Sequence, residues 1–301
     1  MTLQSGIYKK PQRVVLLGAR GFIGQALKKR LDVDEISNLA LTSSDIDLAS
    51  ADAAPKLASL ITAGDAVVML AARTPDKGRD VATLMKNLAM MQNVCVAIEK
   101  SGCSHLVYFS SDAVYDSAVS RVTESTPPSP KDLYGVMHLT REVMARNLKN
   151  IPLLVLRPTL VYGLGDTHNA YGPNRFLRSA LKDKKIALFG GGEETRDHVH
   201  VDDVAALTIK CLMTRGTGIL NIATGVSKSF REIAELVVDE FADEIEITET
   251  PRISAVTHRH YDITNLVKSF PDFRFVSGKQ GFEEIHHQLL LNVSVDPIQT
   301  S

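Results

Sequence analysis

The chain has 301 residues, with 34 basic and 35 acidic side chains and a formal charge of −1 at neutral pH. That balance excludes a protein that coats nucleic acid, which needs a basic excess to release counterions, and it excludes a polyacidic disordered tail. An apolar fraction of 44% against 23% charged residues supplies a full core for one large unit or two unequal ones.

In chain order, Lys9, Lys10 and Arg13 precede an apolar run at 14–18 that is too short for the hydrophobic region of a secretory signal. Residues 13–18 read as a strand buried on both faces, 22–31 as a helix, and 39–42 and 65–72 as further strands. Residues 76–100 contain no proline and read as a long helix. Residues 105–110 form the next strand, 134–148 a helix and 152–157 another strand. Continuous apolar strands alternating with helices predict a parallel sheet covered on both faces. Right-handed crossovers make it a doubly wound Rossmann sheet. After 157 glycine and proline become frequent and the elements shorten, which predicts a smaller mixed α/β C-terminal lobe. No apolar run approaches the ~18 residues of a membrane span. The three cysteines, Cys95, Cys103 and Cys211, form no CxxC pair, so a reducing cytoplasmic setting without membrane contact is expected.

The first chemical signal is Gly18-Ala-Arg-Gly21-Phe-Ile-Gly24, at the junction of the first strand and helix. Glycines there let the backbone approach a pyrophosphate and aim the helix N-terminus at its charge. The spacing is GxxGxxG, and its strand-turn-helix position identifies it as a dinucleotide turn. Gly18, Arg20, Gly21, Phe22, Ile23 and Gly24 are the predicted contacts. The second strand ends Thr42-Ser43-Ser44, without the acid that binds the ribose of NAD; Asp45 comes late. Arg20 in the turn could meet a 2′-phosphate, so NADP(H) is favoured and NAD(H) is possible.

Three segments then line up. Ser110 and Ser111 end a strand, Tyr134-Gly-Val-Met-His138 opens a helix, and Asn87 lies in the long helix before that strand. With the glycine turn, these resemble the extended short-chain dehydrogenase/reductases that act on nucleotide-linked sugars, a family of epimerases, 4,6-dehydratases and 4-keto reductases. The resemblance continues through 68–72, 156–163, 188–192, 196–203 and 221–225. It implies an NAD(P)-binding Rossmann domain at 1–160, with segments at about 195–225 returning to it, and a substrate-binding lobe at 161–301. It implies that Tyr134 exchanges a proton with a sugar hydroxyl or ketone, that Ser111 bonds the same oxygen, and that Asn87 supports the helix and a proton-relay water. Ser43, Asp47 and Leu48 become contacts of the adenosine half, Ala71, Ala72 and Arg73 line the cofactor, and Pro158 and Thr159 lie near the nicotinamide. Asn174, Arg175, Arg196 and Arg259 become substrate contacts, with Arg196 at a phosphate. The family's long helix often packs against a dimer mate, so a homodimer is expected, and Met85, Met90 and Met91 read as packing residues.

One departure matters. The family pattern is Tyr-x-x-x-Lys, and His138 stands at the lysine position; no tyrosine in the chain has lysine four residues later. Tyr134 and His138 still share a helix face. A histidine with an ordinary pKa near ~6.5 is mostly neutral at neutral pH, so it depresses the tyrosine pKa less than lysine does. A tyrosine left near ~10 stands about 4 kcal/mol from tyrosinate at neutrality. Oxidising an alcohol needs tyrosinate, whereas reducing a ketone starts from the neutral phenol. Asp112 is followed by Ala113 and not by the glutamate of the dehydratases, so dehydration is disfavoured; Asp112 either donates a proton or caps a turn. His198 and His200 alternate on one strand, a pattern the family resemblance accounts for without a metal. The expected function is NADP(H)-dependent reduction of a nucleotide-linked 4-keto sugar. The alternatives are a 4-epimerase with retained NAD and a catalytically weakened nucleotide-binding module.

Overall fold

The computed structural model describes residues 1–2, 9–166, 169, 171–241, 244–252 and 255–295. The first half runs β1 (Val14–Leu17), α1 (Phe22–Val33), β2 (Asn38–Leu41), α2 (Ala53–Leu60), β3 (Ala66–Met69), α3 (Val81–Ser101) and β4 (His105–Phe109). A 3-10 turn (Asp112–Val114), β5 (Arg121–Val122), α4 (Leu133–Arg146) and β6 (Leu153–Pro158) follow. The second half contains β7 (Leu160–Tyr162), α5 (Pro173–Asp183), β8 (Lys185–Phe189), β9 (Thr195–His200), α6 (Val201–Met213) and β10 (Gly218–Ile222). The remaining elements are β11 (Ser227–Ser229), α7 (Phe230–Val238), β12 (Glu246–Thr250), β13 (His260–Tyr261), α8 (Thr264–Ser269) and α9 (Gly278–Val295).

Six strands pair in parallel in the order β10-β6-β4-β3-β1-β2. Every residue of β1, β3 and β4 is buried, as strands covered on both faces must be. Leu27 and Leu31 of α1 and Leu207 and Cys211 of α6 pack on one face. Leu57 of α2, Met91 and Val94 of α3 and Ala145 of α4 pack on the other. The doubly wound sheet read from the sequence is therefore present. Of the 195–225 segment, α6 and β10 join this unit, whereas β9 pairs with β7 and β11 in a separate three-stranded sheet. The lobe has its own core of Phe176, Leu177, Leu188, Phe230 and Phe282.

Two elements differ from expectation. Helix α2 has a proline, Pro55, in its first turn, where the missing N–H costs nothing. The long helix starts at Val81 and not at 76, because the Asp80 carboxylate accepts from the Thr83 N–H at 2.8 Å and caps it there. Residues 73–80 are thereby left as an irregular segment beside the site. This helix is also the most apolar long one among the described residues. An 18-residue stretch of its 21 residues reaches a mean hydropathy of 1.3, so by length and composition alone it is long and apolar enough to cross a membrane, although polar residues interrupt the run. In the fold Asn87, Met91, Val94, Ala97 and Ile98 are buried, Met90 is half-buried and Met85 is exposed.

A buried ion pair fixes α4 to the sheet. The Glu142 carboxylate accepts from Arg157 at 2.8 and 2.6 Å, from Ser110 Oγ at 2.6 Å and from the more exposed Arg146 at 2.6 Å. Arg157 also donates to the Tyr115 hydroxyl at 2.8 Å. The side chains of Arg157 and Glu142 are 1% and 0% exposed, so removing Arg157 leaves the buried Glu142 only the half-exposed Arg146 as a counter-charge. Arg157→Met should lower the unfolding free energy by about 3–5 kcal/mol in urea titrations; a loss under ~1 kcal/mol, the scale of a surface pair, would show that the pair does not brace the fold.

Candidate active site

Helix α1 begins at Gly21 with no side-chain cap, and Gln25 N–H is bonded to Gly21 C=O at 2.9 Å. The N–H groups of the first turn therefore face outward over the glycine turn, as an anion site requires. Gly18 has φ +101°, and a Cβ on it would meet the Ala71 nitrogen at 2.8 Å; a Cβ on Gly24 would collide with the Gly18 carbonyl oxygen. The turn is thus packed against Ala71 at the end of β3, where the sequence placed Ala71 and Ala72. These residues fit a dinucleotide pyrophosphate. Beyond β2, Asp45 folds back to accept from Thr42 N and Oγ1 at 2.8 and 2.7 Å. Those bonds hold its carboxyl below the ordinary range, and the Arg20 charge acts the same way. Ser43, Asp47 and Arg20 are exposed; the Leu48 side chain instead lies in the core, its carbonyl bonded to Asn93 at 2.9 Å. Pro158 and Thr159 are buried at the end of β6, with Thr159 N–H bonded to Ile222 C=O at 3.1 Å.

Tyr134 occupies the first turn of α4, whose N-cap Asp132 accepts from Gly135 N–H at 2.8 Å. The tyrosine is half-buried and opens on a cleft of ≈ 220 Å³ also lined by Arg73, Arg79, Thr83, Asn87 and Leu133. Burial pushes its phenol up to about 12, Asp112 adds to that, and Ser111 and Arg141 pull it back. The sequence expectation near ~10 was too low because it left out desolvation. His138 is buried one turn on. Its Nδ1 lies 2.8 Å from the Tyr108 hydroxyl, and its ring meets that of Tyr134 edge-on at 4.6 Å. Burial, then the charge of Arg141, pushes the imidazole down to about 3, so it is neutral at physiological pH. Its Nε2 has no partner among the described residues.

Ser111 caps the 3-10 turn, accepting from Ala113 N–H at 3.1 Å and donating to Asp112 at 3.4 Å. The cap is therefore Ser111 and not Asp112. The other carboxylate oxygen of Asp112 accepts from Tyr261 Oη at 2.8 Å and Arg259 at 3.3 Å. Asn87 is buried and bonded to the segment before α3. Its side chain accepts from Arg73 N–H at 2.8 Å and donates to Arg73 C=O at 3.0 Å, which pins the 73–80 segment.

The four candidate substrate residues separate. Arg259 is buried beside Asp112, and Arg196 is half-buried, donating to Thr257 O and Oγ1 at 2.8 and 2.7 Å. Burial lowers the Arg196 pKa, its ion pair with Glu194 at 3.4 Å opposes that, and the nearby Arg259 charge adds to the lowering. Asn174 is instead taken up by the loop before α5, donating to Gly163 C=O at 2.8 Å and Asp166 at 3.0 Å. Arg175 is exposed, 5.9 Å over the Tyr171 ring. His198 is packed against Phe230, with both ring nitrogens buried and unpartnered among the described residues. Sequence reasoning missed Tyr108, Tyr261 and Arg141. Only Arg141 left a trace, three residues after His138 on the same helix face.

Residues 14–223 match the family model for the NAD dependent epimerase/dehydratase family. The UDP-glucose 4-epimerase of Mycolicibacterium smegmatis is 30% identical over 254 residues, 73% of this chain and 80% of that protein. The GDP-6-deoxy-D-talose 4-dehydrogenase of Aggregatibacter actinomycetemcomitans is 24% identical over 94% of this chain and 100% of its own. With three other curated relatives the match spans only 38%, 36% and 60% of their lengths. Among solved structures, that of RMD from Pseudomonas aeruginosa complexed with NADPH is 26% identical, with a TM-score of 0.79 over 92% of this chain and 98% of that one. Gly24→Ala should weaken NADPH binding at least ten-fold by calorimetry while circular dichroism shows the fold retained; unchanged affinity would show that this turn does not cradle the cofactor.

Proposed function

The chain belongs to the NAD dependent epimerase/dehydratase family, and from that premise we propose that it reduces a nucleotide-linked 4-keto sugar with NADPH. The observation that carries the reading is the electrostatic setting of Tyr134, whose phenol burial and Asp112 hold at about 12. Such a group is a proton donor at neutral pH and a poor base. The glycine turn and Ala71 would hold a reduced nicotinamide dinucleotide, which would supply the hydride when bound. As the ketone becomes an alkoxide, Tyr134 gives its proton to the oxygen and Ser111 orients that oxygen by hydrogen bonding. The phenolate left behind takes a proton back from solvent.

His138 in its neutral form offers Nε2 to a ribose hydroxyl. Arg196 and Arg259 supply the positive side of a diphosphate site, as paired guanidiniums do. Arg20, Ser43 and the absence of an acid at the end of β2 favour NADPH over NADH, because Asp45 is already committed to Thr42. We also propose a homodimer through α3 and α4. Val81, Met85 and Val143 on those helices are 63%, 57% and 57% exposed, an apolar surface that a partner copy would cover.

A second reading, a 4-epimerase with retained NAD, draws on the activity printed for the Mycolicibacterium relative. A panel of nucleotide sugars and their 4-keto derivatives, incubated with NADPH, separates the readings. Stoichiometric NADPH consumption with the keto sugars is expected, and Tyr134→Phe should slow it about 10²–10⁴-fold. Epimerised product without cofactor consumption would overturn the reductase, and cofactor binding without turnover would leave a binding module.

A further inference from the structure

Arg141 is among the largest fully buried side chains, 1% exposed. Its Nε and one terminal nitrogen donate to Asn87 C=O at 2.8 and 2.6 Å, and the other terminal nitrogen donates to Ala71 C=O at 2.9 Å. Among the described residues no carboxylate forms an ion pair with it, in contrast to Arg157 two strands away. A guanidinium stays charged in proteins, and a buried charge without a counter-charge is costly. Neutral donors would serve the same carbonyls. The charge itself therefore calls for an anion that is present only part of the time.

The geometry supplies one. Arg141 lies seven residues after Tyr134 on α4, about 10 Å along the axis. Helical side chains lean toward the N-terminus, so its guanidinium reaches back beneath His138 and Tyr134. It also lies against the Tyr108 hydroxyl, which in turn bonds His138 Nδ1 at 2.8 Å. We infer that Arg141 is a positioning residue that supplies the fixed positive charge for the ionised form of Tyr134, from a site one turn beyond the histidine. The inference rests on Tyr134 as the proton donor. It accounts for how a site without a cation at 138 tolerates the phenolate formed in each turnover. The same charge disfavours a protonated His138. Nδ1 is taken by the Tyr108 hydroxyl, so Nε2, buried and without a partner among the described residues, is the nitrogen left to a ligand.

The groups facing Tyr134 are His138 and Arg141 from α4, its N-cap Asp132, Ser111 and Asp112 from the turn after β4, and Arg73, Arg79 and Asp80 of the segment that lines the same cleft. Those facing Arg141 are Tyr108 from β4 and Asn87 and Cys95 from α3. The test replaces the tyrosines of the full chain with a fluorotyrosine, whose phenol ionises at markedly lower pH, and follows residue 134 by ¹⁹F NMR; Tyr134→Phe assigns its signal. Arg141→Gln, which keeps donors but loses the charge, should raise the ionisation midpoint by at least one pH unit, a ten-fold gain in proton affinity. Arg141→Lys should return it to within a few tenths. Should the glutamine variant fail to fold, His138→Lys is compared with His138→Lys/Arg141→Gln, and the chain holding both cations should titrate lower. An unchanged midpoint in either comparison overturns the inference. The titration needs no substrate, so a chain that shows the shift but reduces no keto sugar would retain the charge assignment and lose the functional reading.

Discussion

The helix that carries Tyr134 in its first turn buries two opposite charges two turns later, and the site depends on how those charges are met. Glu142 is bonded to Ser110 at the end of β4 and to Arg157 on β6. Arg141 is bonded to the backbone beyond β3 and to α3. Each partner element contributes to the site: β4 leads to Ser111 and Asp112, the end of β3 packs on the glycine turn, and α3 pins the segment at 73. A helix tied at these points cannot rotate or slide without stranding a buried charge. Tyr134, Ser111 and the cofactor turn are therefore held in one register by the core and not by the loops that display them.

The same burial that fixes the geometry sets the chemistry. Tyr134 and His138 both lie in low-dielectric surroundings, which favour the neutral form of each. One is thereby kept as an acid and the other as an uncharged donor or acceptor. Arg141 moderates this without reversing it, since the phenol remains at about 12 with the cation in place. Arg259 and Tyr261 reach from the C-terminal segment to hold Asp112, so the substrate lobe is joined to the catalytic side through the carboxylate beside Ser111.

Much of the sheet was legible because strands buried on both faces leave uninterrupted apolar runs, as at 14–17 and 105–109. The glycine turn and the Tyr134–His138 pair were legible because local spacing alone places them on one turn or one helix face. What was not legible depended on partners distant in sequence. Arg141 reads as an ordinary helical arginine until the carbonyls of Ala71 and Asn87 are seen around it. The desolvation that raises Tyr134 has no sequence signature at all. Asn174 and Asn87 were assigned outward roles that their loop and segment partners take up instead, because a side-chain amide at a loop or helix edge can satisfy backbone as readily as a ligand. Helix α2 was missed because a proline within eight residues reads as a breaker unless its place in the first turn is known.

The central claim is that Tyr134 stays protonated through the physiological range, so that the resting site holds the proton ketone reduction needs and lacks the base alcohol oxidation needs. The most direct test is the pH dependence of kcat/KM in the two directions, since that ratio reports the ionisation of the free enzyme. Oxidation of the alcohol product by NADP⁺ should climb about ten-fold per pH unit from pH 7 to beyond pH 10 without levelling, while ketone reduction stays flat over the same range. A plateau in the oxidation profile near pH 7 would contradict the account, because it would place tyrosinate in the resting site.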